Sequence, residues 1–454
     1  MNLDNYTHIT TNSKKVKDGS IYVSTDNNHN YILEAIQNKA SLIVSTEKLE
    51  YKINNIVVKN IKYFFSYYYQ KINKINMKDY IVIGVTGTYG KTTISKMLYD
   101  KITERYKVLY IGTLVIISDE VKHKSKNTTP DIEQVLECFL EAKNKGIKYL
   151  IMEASSEGLL NNRLTGIRFD IVIFSNLSHE HLNTHKNMEN YFNSKKKILK
   201  LLKENGKIIT NVEDIYGKRL SNELSINYGL HKGKIRTLTF SLEKDNSKIF
   251  LTNNQKTYYY KIPFVGVYNI YNFLAVHATI STLFNINLFT FKNLSSPSGR
   301  FCVVKDNIII YFAHTPNALE NLLLTIKEIY DDNKIILVLG SQGEKDKSKR
   351  KHLGMVGDKY CDTIILTSED PKSESIIDII FDISIGIKKT EYYIELNRKN
   401  AILKAIKLQD DKSVVVIVGK GTETTEKHKN TIIKHSDYDI VIDEIKNQVI
   451  LPDS

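Results

Sequence analysis

The sequence predicts an α/β protein of several domains, and three observations carry that expectation. Unbroken apolar runs of strand length, rich in β-branched residues, recur along the chain and end near a Gly, Ser, Asn or charged residue. Helix-like stretches follow many of them. At 454 residues, the chain is also several times longer than an ordinary domain, so more than one core is expected.

Taken in order, the strand-like runs are Tyr80–Val85, Tyr149–Glu153, Ile171–Ser175, Ile308–Ala313, Ile335–Gly340, Thr363–Thr367 and Val414–Gly419. Runs without polar alternation suit strands buried on both faces, which points to parallel sheets with helical crossovers. In such sheets ligands gather at the carboxyl ends of the strands. A boundary is expected at Met77–Lys78, after the Tyr-, Lys- and Asn-rich stretch Tyr63–Asn76, and another at Ser295–Ser298, where Ser-Ser-Pro-Ser punctuates the chain. The expected domains are therefore 1–77, 78–297 and 298–454. The Asn- and Lys-rich patch Glu243–Lys256 reads as exposed hairpin turns.

Composition excludes several classes. With 42% hydrophobic and 25% charged residues the chain is neither fibrous nor largely disordered. The net charge of +13 rests on lysine, with only eight arginines among 64 basic residues, and reads mainly as a solvated surface. Where arginine does occur, its planar fork is more apt to be needed. Three cysteines, Cys138, Cys302 and Cys361, are too far apart for a metal knuckle and odd in number for a disulfide framework. No apolar run approaches a membrane span and no leader is evident at the start, so a cytoplasmic protein is expected, without a nucleic-acid or membrane partner.

The most informative local feature follows the first strand-like run. Thr86-Gly87-Thr88-Tyr89-Gly90-Lys91-Thr92-Thr93 leads into the helix-like Ile94–Thr103. Gly87 and Gly90 allow backbone N–H groups to crowd around phosphate oxygens at a helix N-terminus, Lys91 adds a point charge, and the Thr92 hydroxyl can ligate Mg²⁺. Val85 stands where the strict phosphate-loop pattern has its first glycine, so the motif is a shortened one.

This loop, with Thr128-Thr129-Pro130-Asp131, Met152-Glu153-Ala154-Ser155-Ser156, Ser175-Asn176-Leu177 before His181, and Tyr191-Phe192 before Lys195, resembles the Mur ligase family. So do Asn269-Ile270-Tyr271-Asn272, Gly299-Arg300, Ala313-His314-Thr315-Pro316, Asp346 with Lys349-Arg350, and Gly419-Lys420-Gly421 with Glu423. The likeness spans the chain and is greatest to the members that add the third amino acid to UDP-N-acetylmuramoyl dipeptide. It implies a small UDP-binding α/β domain, a central parallel-sheet ATPase domain and a Rossmann-like C-terminal domain. It further implies a monomeric, ADP-forming amide ligase using ATP, Mg²⁺, the UDP-linked dipeptide and an amino acid.

Residue by residue, the resemblance implies that Gly87, Thr88, Gly90, Lys91, Thr92 and Thr93 hold ATP phosphates, with Arg300 and His314 reaching them and Asn269 and Asn272 near adenine. Thr92, Glu153, His181 and Lys195 would serve Mg²⁺, with Lys195 as a carbamate. Ser13 would meet the uracil nucleotide, and Thr128, Thr129, Ser155 and Arg163 the sugar peptide. The amino acid would meet Lys345, Asp370, Lys372, Gly419 and Glu423.

The chain departs from the family pattern in several places. Glu157 stands for a histidine, His179-Glu180 for Arg-Asp, and Tyr311 for an aspartate. Glu369-Asp370-Pro371-Lys372 replaces the Asp-Asn-Pro-Arg of diaminopimelate-adding members, so an arginine fork has become a lysine point charge. A diamino acid, L-lysine or meso-diaminopimelate, is expected. A ligase acting on another carboxylate, or a catalytically silent nucleotide-binding relative, is the alternative.

Overall fold

The computed structural model describes residues 5–450 except 113, 118–119, 126, 179–184, 295–301, 306 and 422. Two compact units emerge: Met1–Leu177, Asn187–Arg236 and Asn272–Thr290 form the first, and the remaining segments form the second.

The first unit begins with a parallel four-stranded sheet, ordered β1 (Ile9–Thr10), β2 (Ile21–Val23), β3 (Leu42–Ser45) and β4 (Asn55–Val57). Helices α1 (His29–Gln37) and α2 (Ile61–Ile72) start at Asn28 and Asn60, whose side chains accept a backbone N–H of the first turn. The asparagine-rich composition is put to use in this way throughout, since Asn187 and Asn397 cap later helices by the same bond. Ile21, Val23, Leu42 and Val44 share one apolar core with Phe65 and Tyr69 of α2 and with Tyr80, Val82, Phe139 and Leu150 beyond residue 77.

Next come β5 (Ile81–Thr86), α3 (Lys91–Thr103), β6 (Val108–Ile111), β7 (Leu114–Ile117), β8 (Glu120–Lys124), α4 (Ile132–Asn144), β9 (Tyr149–Glu153) and α5 (Ser156–Leu160). They are followed by β10 (Phe169–Phe174), α6 (Met188–Lys196), β11 (Leu202–Asn211), α7 (Ile215–Leu220) and β12 (Ile226–Gly229). The strands lie in the order β12-β11-β10-β5-β9-β6-β7-β8, parallel from β12 to β6 and antiparallel at the β7–β8 edge. Val82, Ile83 and Val85 of β5 are all wholly buried, as expected of a central parallel strand.

The patch expected as hairpin turns resolves more finely. After β13 (Ile235–Leu242), a turn leads into β14 (Ser247–Asn253), which pairs antiparallel with β15 (Lys256–Ile262) across Asn254-Gln255. Both turn residues have positive φ, 49° and 67°, the geometry of a tight two-residue hairpin. Glu243–Lys256 thus contains a strand between two turns. Lys244, Asn254 and Lys256 are exposed, while Asn246 and Asn253 are buried along with Ile249 and Leu251. The almost wholly apolar helix α8 (Val267–Leu283) follows.

The rest of the second unit is a doubly wound layer structure. Its elements are β16 (Cys302–Lys305), β17 (Ile308–Tyr311), α9 (Pro316–Tyr330), β18 (Lys334–Leu339), α10 (Ser348–Tyr360), β19 (Thr363–Leu366), α11 (Ile376–Ser384), β20 (Glu391–Ile394), α12 (Arg398–Leu408) and β21 (Ser413–Val418). A small hairpin, β22 (Thr425–Lys427) with β23 (Ile432–Lys434), and helix α13 (Asp437–Ile450) complete it. The sheet runs β16-β17-β21-β18-β19-β20, parallel except at β16. One face packs on α9, α10 and α11, the other on α12 and α13. Among the described residues no helix is long and apolar enough to cross a membrane.

Candidate active site

The turn after β5 is held by its neighbours rather than by its own sequence alone. Thr88 N donates to the Asn176 carbonyl at 2.9 Å, Tyr89 N donates to Asn176 Oδ1 at 2.9 Å, and Ser175 Oγ donates to the Tyr89 carbonyl at 2.7 Å. These partners sit just past the end of β10, the strand beside β5. Gly87 has a φ of 149° and Gly90 a φ of 85°. A Cβ at Gly87 would stand 2.0 Å from Ser175 Oγ, and one at Gly90 would stand 2.3 Å from Asn272 Oδ1. The glycines therefore give a left-handed turn and a close approach together. Helix α3 starts at Lys91 with no side-chain cap, so its first N–H groups and positive dipole end face the turn. Lys91 Nζ donates to the carbonyls of Gly87 and Thr88, each at 2.9 Å.

Glu153 ends β9 and is wholly buried. Its Oε2 accepts from Thr92 Oγ1 at 3.0 Å, and its Oε1 accepts from the Tyr110 hydroxyl. A Cβ at Gly112 would fall 2.6 Å from Glu153 Oε1, so that glycine makes room for the carboxylate. Burial, with the Glu153 charge alongside, pushes the Tyr110 phenol well above its usual range, which keeps it a donor. Lys195, near the end of α6, is 1% exposed; its Nζ donates to the Gly87 carbonyl at 2.7 Å and lies 4.8 Å from the centre of the Tyr191 ring. Tyr191 in turn reaches Thr88 Oγ1 at 3.2 Å. Gly87, Thr88, Gly90, Lys91, Thr92, Glu153, Lys195 and Asn272 are thus gathered around one turn. Thr93 is buried in the first turn of α3. His181 and Arg300 lie outside the described residues.

A second group adjoins the end of β9. Thr129 Oγ1 donates to the Glu153 carbonyl at 2.9 Å and accepts from Ser155 N at 2.8 Å, while Ser155 Oγ caps α5 through Gly158 N. Thr128 precedes Thr129 and is partly exposed. Arg163 donates to the Thr129 carbonyl at 3.0 Å and pairs with Asp131 at 3.1 Å and with Glu157 at 3.5 Å. Lys62, at the start of α2, is close enough to Arg163 that burial and that positive charge together pull its ammonium below its usual value. Ser13 is buried and donates to Glu34 Oε2 at 2.5 Å. The strand leading to Ser13 is anchored by Glu133, which accepts from Thr10 Oγ1 at 2.6 Å and Thr11 N at 2.8 Å.

The second unit has its own cluster at the carboxyl ends of its sheet. Lys420 Nζ donates to Asp370 Oδ1 at 2.7 Å and Glu423 Oε2 at 3.0 Å. Lys372 faces Glu344 at 3.9 Å, and Lys345 is exposed. Glu344, Asp370 and Lys372 all adopt positive φ, at 57°, 44° and 53°, and Gly419 does so at 110°. Strained non-glycine backbone concentrated on facing loops is a mark of functional geometry. Lys349 Nζ donates to the His314 carbonyl at 2.9 Å. Asn269 is buried at the start of α8, its Nδ2 donating to the Val265 carbonyl at 2.8 Å.

Residues 85–280 match the Mur ligase middle domain, and residues 299–421 match the glutamate ligase domain of Mur ligases. A Fusobacterium nucleatum subsp. nucleatum protein, named UDP-N-acetylmuramoyl-L-alanyl-D-glutamate--2,6-diaminopimelate ligase, is 32% identical over 93% of this chain and 91% of its own. The chain belongs to the Mur ligase family. Among solved structures, a ligase of that same printed name aligns with a TM-score of 0.71 at 24% identity, covering 98% of this chain and 95% of that one. A Thermotoga maritima MurF ligase in complex with ADP aligns at 0.67 and 17%, covering 99% of each chain.

Within this Mur ligase, three contributors to the site were missed by sequence reasoning. Tyr110 sits in Val-Leu-Tyr-Ile, which marks a buried strand and nothing more. Glu133 lies in an ordinary amphipathic helix. Arg398 is buried with Asp437, to which it donates at 2.9 and 2.6 Å, while its other N–H groups reach the Ser368 and Val418 carbonyls at 3.2 and 2.8 Å. The scarcity of arginine was the one available signal for it.

Proposed function

We propose that this chain is an ADP-forming, ATP-dependent ligase that adds a diamino acid to UDP-N-acetylmuramoyl-L-alanyl-D-glutamate in cytoplasmic peptidoglycan precursor synthesis, working as a monomer. The gathering of Lys91, Thr92, Glu153 and Lys195 around the Gly87–Gly90 turn carries this reading, supported by whole-length kinship to a ligase of that name. The acceptor carboxylate attacks the γ-phosphorus of ATP, giving an acyl phosphate and ADP. An amino group then attacks the acyl carbon and expels phosphate. Such transfers need positioning and charge neutralisation more than covalent chemistry from the protein.

Each group has a role in that scheme. The backbone N–H groups of Gly87 to Gly90 and the start of α3 cradle phosphate oxygens, and Lys91 exchanges its loop carbonyls for them. Asn269, Asn272, His314 and Arg300 complete the nucleotide contacts. Thr92 and Glu153 are adjacent hard-oxygen donors, which fits Mg²⁺, and His181 joins them on family position. Bound there, Mg²⁺ would neutralise phosphate charge. Lys195 fits the same ion as a carbamate, since CO₂ on its amine replaces a buried cation with anionic oxygens. Thr128, Thr129, Ser155 and Arg163 hold the sugar peptide, and Ser13 the uracil nucleotide. Lys345, Asp370, Lys372, Gly419 and Glu423 receive the amino acid.

The choice between diamino acids turns on Lys372. A lysine can pair with a distal carboxylate without the bidentate grip of arginine, which suits meso-diaminopimelate, and 2,6-diaminopimelate is the amino acid in the relative's name. ADP release with UDP-N-acetylmuramoyl dipeptide and a panel of amino acids tests both points. Release only with meso-diaminopimelate or L-lysine is expected; silence with every amino acid would leave a nucleotide-binding relative without ligase activity.

A further inference from the structure

Lys62, the second residue of α2, is a half-buried cation with little to answer it. Its Nζ donates to the carbonyl of Asn161, the residue that caps the end of α5. Among the described residues it makes no other hydrogen bond and no ion pair. Arg163 stands two residues past Asn161, in the same first unit as α2. Its charge adds to burial in holding the Lys62 ammonium below the usual value, with Asp131 opposing.

Packing alone does not account for a charge at this position. Helix α2 meets the stretch 161–166 with Lys62, Ser66 and Gln70, which are spaced a helical turn apart and so share one face. Gln70 Nε2 donates to the Gly166 carbonyl at 3.4 Å and to Ser66 Oγ at 2.9 Å, and a Cβ at Gly166 would stand 2.1 Å from Ser66 Oγ. Neutral groups therefore close that part of the contact. A neutral amide at position 62 could serve the Asn161 carbonyl in the same way, without setting a second positive charge beside Arg163. The dipole of α5, a helix of five residues, adds little for a cation at its end. The counter-charges are loosely held as well: Arg163 pairs with Asp131 and Glu157, whose side chains are 68% and 60% exposed, and exposed pairs of this kind contribute little. Two neighbouring cations answered only by exposed acids are stabilised by an incoming anion.

We propose that Lys62 and Arg163 together bind a non-reacting anionic oxygen group of the acceptor, with Lys62 supplying the uncommitted charge. This assignment rests on the ligase reading above, in which Thr128, Thr129, Ser155 and Arg163 hold the sugar peptide. UDP-N-acetylmuramoyl-L-alanyl-D-glutamate offers two such groups: its diphosphate, and whichever glutamate carboxylate is not activated. Either one presents several oxygens, so the spare donors of an ammonium and the edge of a guanidinium can bond to it at once.

The test is calorimetric binding of UDP-N-acetylmuramoyl-L-alanyl-D-glutamate to the full chain, comparing the parent with Lys62→Gln, which keeps a donor for Asn161, and Lys62→Arg, which keeps the charge. Lys62→Gln should bind the acceptor about 10-fold more weakly and Lys62→Arg within about threefold of the parent. The loss should appear in the KM of the acceptor and not in that of ATP. Added sodium chloride should weaken binding by the parent more steeply than binding by Lys62→Gln. Unchanged acceptor binding in Lys62→Gln, equal loss in both variants, or parallel salt slopes would overturn the assignment. Two further ligands distinguish the sources: UDP alone, and an acceptor whose non-reacting glutamate carboxylate is a carboxamide. If the diphosphate is bound, the Lys62→Gln loss recurs with both; if the carboxylate is bound, it recurs with neither. A loss that recurs with the carboxamide acceptor but not with UDP leaves neither group at Lys62 and also overturns the proposal. A parent protein that binds no acceptor defeats the ligase reading, and the assignment with it. Should Lys62→Gln fail to fold, Lys62→Met takes its place with the same expectations.

Discussion

His277 shows how far burial alone can move a side chain. It lies wholly inside α8, and desolvation lowers its imidazole from 6.5 to about 4. The unfolded chain therefore binds a proton between those values that the folded chain does not. The sign follows: the neutral ring's contribution is complete above pH 6.5 and is lost as pH falls toward 4. The shift corresponds to about 3 kcal/mol. Urea denaturation of the parent and His277→Leu at pH 7 and pH 4.5 should show a steeper loss in the parent; matching slopes would sink the account. At this same scale, legibility was uneven. Lys91, Glu153 and Lys195 could be singled out because strand ends and spaced motifs give a residue an address. Tyr110 and Glu133 could not, because what matters about them is which neighbours they meet across the fold.

Elements were easier to read than their contacts. The run expected at Tyr149–Glu153 is β9 with the same ends, and the other six expected runs fall within a residue or two of strands, because strands buried on both faces show as continuous apolar runs; the shorter or more polar parallel strands β1–β4, β6, β11, β12 and β20 were not anticipated. The hairpin arm was harder, since its alternating burial is diluted by Lys, Asn and Thr and only one face meets a core. The α3 turn illustrates an element whose shape depends on glycine twice over. Gly90→Ala adds a Cβ 2.3 Å from Asn272 Oδ1 in a left-handed conformation. It should cost about 1–2 kcal/mol of stability and weaken nucleotide binding more severely, because the displaced amide lies at the turn itself. Thermal shift with and without ATP would separate these effects: a lower melting temperature with an unchanged ATP-induced shift contradicts the second.

For the whole molecule, the +13 charge takes on a different meaning. The excess is lysine, mostly on exposed positions, whereas the two arginines Arg350 and Arg398 are the largest wholly buried side chains. Each is held by carboxylates, Arg350 by Glu374 and Asp382 and Arg398 by Asp437. Dispersed lysine predicts only weak association with nucleic acid, vanishing at physiological salt; fluorescence anisotropy with single-stranded and duplex DNA should show no saturable binding there. The shared core of the first unit bears on how such a protein can change over time. Because Val23 and Leu42 pack in one apolar mass with Val82 and Leu150, a cut at residue 77 runs through that mass instead of around it. The stretch before residue 77 is therefore not a cassette that recombination could exchange whole. New properties of that end would have to arise by substitution in place, each one answerable to the packing behind the Gly87–Gly90 turn.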